Sequence, residues 1–125
     1  MNYEIFKEKL KQKDKRNIFG ESLEKETLPV PKELQVFYQY VNPIDVEVVL
    51  DDLTSVKFFS LNELTEIQED YKLNGESFVF ASREGDPIIL KNGKVYTAVH
   101  GSTAWELEHL HYSFEEFLQS LTERI

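Results

Sequence analysis

The residue types best suited to chemistry in this 125-residue chain are its histidines, which all fall in one short stretch: His100, His109 and His111. Glu106 and Glu108 lie among them. Because alternate residues of a β-strand project to one face, His-x-His on a strand would place two imidazoles together, and a nearby carboxylate would complete a metal ligand set. The pattern makes a metal-dependent enzyme an alternative function, which we favour less than a binding function. A hydrogen bond at a strand end explains His100 equally well, so we assign no metal ligand and no cofactor.

No other pattern in the chain is typical of catalysis. The chain has no cysteine, which excludes disulfides, thiol catalysis and zinc sites built on thiolates. No Gly-rich phosphate loop follows a strand pattern, and no serine lies in a nucleophile elbow. Gly85-Asp86-Pro87 contains a carboxylate, but turn chemistry explains all three residues. We therefore expect a protein that is not an enzyme.

The charge of the chain is divided unevenly along its length. Residues 1–16 carry a net charge of +3 and residues 17–125 a net charge of −12, which gives −9 for the whole chain. An acidic body of this kind repels the phosphates of nucleic acids and favours a basic protein partner. The alternative, which charge alone leaves open, is that the acidic surface only keeps the protein soluble.

The residues that we single out for partner binding are acidic side chains around one aromatic residue. They are Asp51, Asp52, Glu63, Glu66, Glu69, Asp70, Trp105, Glu106 and Glu108. The first two form a turn, and the next four line the outer side of a predicted helix. Trp105, the only tryptophan of the chain, would be an aromatic anchor with Glu106 and Glu108 beside it. A solvated helix face explains the acids equally well, and a core residue that seals the sheet edge explains Trp105.

Apolar periodicity predicts the elements that position these residues. Helical spacing predicts helices over 3–13, between Val30-Pro31 and Asn42-Pro43, and after two capping boxes at 60–63 and 113–116. The polar stretch 14–28 is predicted to be a loop. Alternation of apolar and polar residues predicts strands over 46–50 and 56–59.

Residues 77–100 contain two turn signals, 84–87 and Asn92-Gly93, between apolar runs of strand length. Asn-Gly between such runs favours a type I′ hairpin, so the stretch is predicted to be a three-stranded antiparallel meander with Val95, Thr97 and Val99 on one face of its third strand. Hairpins in place of helical crossovers indicate an α+β fold. We expect one domain over 1–125 with a mainly antiparallel sheet of about five to six strands and helices packed against it.

The composition is typical of a packed globular domain. Hydrophobic residues make up 41% of the chain, with nine Phe and six Tyr among them. No apolar run approaches the length of a membrane span, and the first residues lack the apolar core of a signal peptide. We expect a cytoplasmic protein that binds neither membranes nor nucleic acid, and the sequence assigns no oligomeric state.

Several short motifs occur together in an order that resembles a known family. They are Leu28-Pro29 with Leu34 and Phe37-Tyr38, the run 56–63, Phe80-Ala81, Gly85-Asp86-Pro87, Gly93, Val95-Tyr96, His100-Gly101 and the run 113–118. In this order and spacing they resemble the SUKH superfamily, which includes the fungal Smi/Knr-type cell-wall regulators and many bacterial immunity proteins. The chain departs from that pattern after the early helix, where Asn42-Pro43 replaces a glycine.

The resemblance implies a binding protein with a SUKH-like fold. Bacterial members of the superfamily neutralise polymorphic or contact-dependent toxins, often nucleases, by direct binding. We therefore expect an immunity protein whose acidic surface binds a basic toxin domain. A regulatory or scaffold module of the same fold, as in the fungal relatives, is the alternative.

Overall fold

The computed structural model describes residues 2–73, 75–100 and 105–125, apart from the side chain of His100. Within these ranges the chain forms α1 (Tyr3–Lys13), β1 (Ile18–Phe19), α2 (Lys32–Tyr40), β2 (Pro43–Val49), β3 (Ser55–Phe58), α3 (Leu64–Tyr71), β4 (Phe78–Arg83), β5 (Asp86–Lys91), β6 (Lys94–His100), β7 (Trp105–His111) and α4 (Phe114–Glu123). Gly101 of the family pattern lies outside the described residues.

All of these strands belong to one antiparallel sheet whose spatial order, β1 to β7, follows the order of the sequence. The α+β class and the meander, now β4–β5–β6, are confirmed. The described sheet has seven strands instead of the expected five to six. β1 spans two residues inside the predicted loop, too few to show a period. β7 was missed as an element because its WELEHLH sequence contains no apolar run.

One face of the sheet is covered by α1, α2 and α4. Their contact with the sheet is a cluster of buried phenylalanines, namely Phe6, Phe37, Phe58, Phe80, Phe114 and Phe117. Most of the neighbouring rings meet edge to face, with centroids 5.1–6.2 Å apart in pairs such as Phe37–Phe114, Phe80–Phe114 and Phe6–Phe58. The apolar stripe of α4, which helical spacing of its apolar residues predicts, consists of Phe114, Phe117, Leu118 and Leu121, and all four are buried in this core.

α3 lies against the opposite face of the sheet. Val79 pairs with Ile89 and Ile89 with Tyr96, so these residues share the face that turns away from the phenylalanine cluster. Trp105 belongs to the same face through its pairing with His100, and its ring contacts Tyr71 of α3. Val79 and Ile89 are fully buried there. The central strands are therefore covered on both sides, which explains their continuous apolar runs.

The pairings of β6 place Val95, Thr97 and Val99 on one face, as predicted. Val95 and Thr97 are buried, whereas Val99 is 40% exposed. Val99 pairs with Glu106 of the outermost strand. Among the helices of the described ranges, none is both long enough and apolar enough to cross a lipid bilayer.

Candidate functional site

The acidic helix α3 is held at its start by Ser60 and Glu63. The Ser60 backbone N–H donates to the Glu63 carboxylate over 3.1 Å, which is half of the predicted capping box. The Ser60 hydroxyl also donates to this carboxylate instead of accepting from the helix, and regular helix begins at Leu64. Lys57 lies 3.7 Å from the other carboxylate oxygen. Glu63 therefore has a structural role, although we predicted it as a binding residue.

The remaining acids of this helix, Glu66, Glu69 and Asp70, are exposed. Within the described part of the chain, none of these three side chains forms an ion pair or accepts a hydrogen bond. Glu69 and Asp70 lie in the last helical turn, where the helix dipole disfavours negative charge, and that turn contains no basic residue before the C-cap Lys72. Glu66 lies in the first turn, where the dipole favours its charge, but it repels both of the others at i+3 and i+4 spacing. Glu69 and Asp70 therefore do not stabilise the helix that carries them.

Leu64 and Gln68 help to position α3 on the sheet. Leu64 is buried in the core. Gln68 bonds to the backbone of Val79 in both directions: its Nε2 donates to the Val79 carbonyl over 2.7 Å, and the Val79 N–H donates to its Oε1 over 2.8 Å. Because both contacts lie on the inner side, the three free carboxylates are turned to solvent.

Tyr71 and Trp105 form an aromatic pair where α3 meets β7, with ring centroids 5.6 Å apart. The Tyr71 hydroxyl donates to the Gly85 carbonyl over 2.9 Å. Partial burial raises the pKa of Tyr71 above its ordinary value, and the negative charges of Asp86 and Asp70 raise it further. The pair therefore lies among carboxylates. Neither Tyr71 as the partner of Trp105 nor Asp86 as a neighbour of Tyr71 was predicted from the sequence, because only the folded sheet brings these distant residues together.

Glu106 and Glu108 lie on β7, exposed, and project to the sheet face opposite Trp105. They pair with Val99 and Thr97 of β6. β7 is the last strand of the sheet. We refer to Glu66, Glu69, Asp70, Glu106 and Glu108 as the acidic surface. It has two parts: the α3 acids lie on the Trp105 side of the sheet, and the two β7 acids project to the opposite side. Trp105, which contacts Tyr71 of α3 and precedes Glu106 in the chain, lies between the two parts.

Asp51 and Asp52 form a clamp with Arg124 that ties the β2–β3 turn to the end of α4. Arg124 Nε lies 3.2 Å from Asp51, and its Nη2 lies 2.8 Å from Asp52. The hydroxyl and N–H of Thr54 donate to Asp52 over 2.6 and 3.0 Å. Hydrogen bonds from Thr54, and then from Arg124, lower the pKa of Asp52 to about 2. These two acids have a structural role in the fold, and their role in binding stays a prediction.

The histidines do not form the ligand set that His-x-His on a regular strand would give. A bulge at Leu110 pairs His109 with Tyr96 and His111 with Val95, which are neighbours on β6. The two rings therefore project to opposite faces, and the prediction of a shared face is wrong. His109 contacts the rings of Tyr96 and Tyr112.

His111 lies on the side of α4, where its ring packs against Phe117 and its Nδ1 is 3.7 Å from Glu116. In the ranges that the structure describes, no three His, Asp or Glu side chains come together as metal ligands. The separation of the two rings removes the geometric basis on which the metal-dependent enzyme was considered.

Comparison with protein families, curated proteins and solved structures finds no match for this chain. The resemblance to the SUKH superfamily stays a prediction from the motifs. The fold and the site together define an α+β protein with an acidic surface built around an aromatic pair.

Proposed function

We propose that this chain is a SUKH-like cytoplasmic immunity protein that neutralises a basic toxin domain by stoichiometric binding. The observation that carries the proposal is the acidic surface. Glu66, Glu69 and Asp70 have no partner among the described residues, and Glu69 and Asp70 lie in the last turn of their helix, where negative charge is unfavourable. Such side chains form no ion pair or hydrogen bond within the described part of the fold, and two of them lower its stability. They are therefore suited to bind a partner of opposite charge.

In the proposed mechanism, charge accelerates association and aromatic contacts provide affinity. Nuclease toxins bind phosphate in basic clefts, so an acidic surface imitates the charge of their substrate. Complementary charge mainly accelerates association, by about 10- to 1,000-fold. Tyr71 and Trp105 lie beside these carboxylates as a rigid pair, and such aromatic side chains supply most of the binding energy in protein interfaces. Occupation of the cleft would block access of the substrate, so the inhibitor needs no catalytic group.

The proposal is tested by co-expression in a sensitive host with the toxin domain that the adjacent reading frame encodes. We expect the chain to restore growth and the two purified proteins to form a one-to-one complex. A matched pair of triple variants then tests the surface. Reversal of the three α3 acids to Lys is compared with reversal of Glu8, Glu21 and Glu123, which are also exposed but lie on other elements.

Both triple variants change the net charge equally, so they separate a local surface from total charge. We expect the α3 variant to associate at least about tenfold more slowly and the control variant to lose much less. Equal losses of association rate in the two variants would show that the net charge alone, and not the α3 surface, determines binding. Failure of the unaltered chain to bind the toxin domain or restore growth would contradict the proposed function itself.

A further inference from the structure

The outer side of β7 is an open hydrogen-bonding edge. β7 spans seven residues, Trp105–His111, and in the described part of the chain it pairs only with β6. N–H and C=O groups of alternate residues therefore point away from the sheet. β7 contains no proline and no lysine, the residues that commonly block such an edge. Its bulge at Leu110 leaves residues 105–109 as the regular stretch. This stretch has about the usual length of a strand, so it is long enough to pair with a strand from another chain.

The charges on β7 oppose pairing with a second copy of this chain. In antiparallel pairing centred on Leu107, each Glu106 would lie opposite the partner copy's Glu108. In pairing centred on Glu108, that residue would lie opposite itself. Like charges directly opposite one another destabilise a strand pair. The edge is therefore unsuited to self-association and suited to a strand that carries positive charge on the same face.

We propose that β7 accepts an extended segment of a basic protein as an additional antiparallel strand. Lys or Arg at alternate positions of that segment would face Glu106 and Glu108. The residues between them would be apolar and face Leu107, which is 37% exposed on the other side of the strand. This inference deepens the proposed function and depends on it only for the source of the segment, a toxin domain.

The probe is a seven-residue peptide of alternating Lys and Val with both termini blocked. The only tryptophan of the chain, Trp105, is the first residue of β7, so its fluorescence reports binding at this edge. We expect the peptide to change this fluorescence and to slow hydrogen exchange at alternate β7 amides in 150 mM salt. The control peptide has the same charge but carries N-methyl groups on alternate residues, which removes strand pairing and keeps the electrostatic attraction. We expect it to bind at least about tenfold more weakly. Equal binding of the two peptides, or slowed exchange on α3 instead of β7, would overturn the proposal.

A double variant, Glu106→Lys with Glu108→Lys, tests the charge requirement. We expect at least a tenfold loss of binding to the Lys/Val peptide, whereas Glu66→Lys with Glu69→Lys, equal in charge change, should lose less than about threefold. If the first variant does not fold, Glu106→Gln with Glu108→Gln replaces it with a smaller expected loss. Equal losses in the two matched variants would contradict a role for the edge.

The two proposals fail separately. Growth protection by a chain whose β7 does not bind the peptide would overturn the edge proposal and support the immunity function. Peptide binding at β7 without growth protection would support the edge and contradict the immunity function.

Discussion

The side chain of Gln68 makes the two backbone hydrogen bonds to Val79 that a neighbouring strand would otherwise make. β3 ends at Phe58, which pairs with Ala81, so the backbone of Val79 lies beyond the reach of that strand. The Gln68 amide donates to the Val79 carbonyl and accepts from its N–H, at 2.7 and 2.8 Å. Val79 is fully buried, so these groups have no access to bulk water. This contact joins α3 to the backbone of β4 and thereby fixes the orientation of α3 on the sheet.

Replacement of Gln68 by Ala should destabilise the protein by about 2 kcal/mol, because two buried backbone groups lose their partners. The loss is measured by urea denaturation. Hydrogen exchange at the Val79 amide should accelerate more than exchange elsewhere in β4. Loosening of α3 should also shift the fluorescence of Trp105, whose ring contacts Tyr71.

The matched control is Gln119→Ala. Gln119 is exposed on α4, and we expect its replacement to change stability by less than about 0.5 kcal/mol. Equal effects of the two replacements would contradict the anchoring role of Gln68.

The features of this fold that the sequence could predict are those that depend on local signals. Capping at Ser113, the Asn92-Gly93 turn and the stripe of α4 depend on residues a few positions apart, and all are present. Asn42, which replaces the expected glycine, has a φ of +42°, a backbone conformation that asparagine tolerates better than most residues. The positive φ after α2 is therefore accommodated by a residue other than glycine.

The features that the sequence did not reveal depend on pairing between distant residues. The bulge at Leu110 separates His109 from His111, and no local signal marks it. In the sequence, Gln68 is an ordinary polar helix residue, and its bonds to Val79 become evident only in the folded structure, where β4 lies beside α3. In the candidate site, the free carboxylates of α3 were identified correctly as exposed, but the partner of Trp105 was not. Side-chain alternation predicts a face only while the strand stays regular.

The Asp52 carboxyl should titrate near pH 2, well below its ordinary pKa of 3.8. A lowered pKa in the folded state means that this group contributes stability above pH 3.8 and loses that contribution as the pH falls toward 2. Thr54→Val should raise the pKa of Asp52, because it removes the side-chain hydrogen bond that is the largest cause of the lowered pKa while the bond from the Thr54 N–H remains. Arg124→Leu should raise the pKa as well, through the loss of a hydrogen bond and a positive charge. Side-chain carbon shifts followed by NMR between pH 1.5 and 6 report these midpoints, with roughly 0.1 unit sufficient to distinguish them.

Asp14 is the internal reference for that titration. Hydrogen bonds from Arg16 also lower the pKa of Asp14 to about 2. Asp14 shares no partner with Asp52, so Thr54→Val should leave its midpoint unchanged. A parallel shift of both carboxyls would indicate a general loss of structure instead of the removal of one hydrogen bond.

Tyr38→Phe should cost about 1 kcal/mol of stability at neutral pH. The Tyr38 side chain is fully buried in the core, and its hydroxyl donates to the Phe59 carbonyl over 2.8 Å. Replacement would leave that carbonyl without this donor. Tyr112→Phe is the control, because Tyr112 is 71% exposed, and we expect no measurable change in its denaturation midpoint.

The cost of Tyr38→Phe should also depend on pH. Burial raises the pKa of Tyr38 far above its ordinary value of 10.0. The folded state therefore keeps a proton that the unfolded chain loses above pH 10, and the stability of the unaltered protein falls there. The difference between the two proteins should shrink as the pH rises above 10. A difference that grows with pH would contradict burial of the neutral phenol.

Replacement of Glu69 and Asp70 by Lys should stabilise the protein while it weakens partner binding. Positive charge in the last turn of α3 interacts favourably with the helix dipole, and we expect a gain of about 0.5–1.5 kcal/mol for the pair. Replacement by Gln and Asn, which removes the repulsion without adding attraction, should give about half of that gain. Thermal and urea unfolding at low and high salt measure both variants, and the gain should decrease as salt rises. A loss of stability in the Lys variant would show that these carboxylates support the fold, and the argument that they are kept for a partner would then fail.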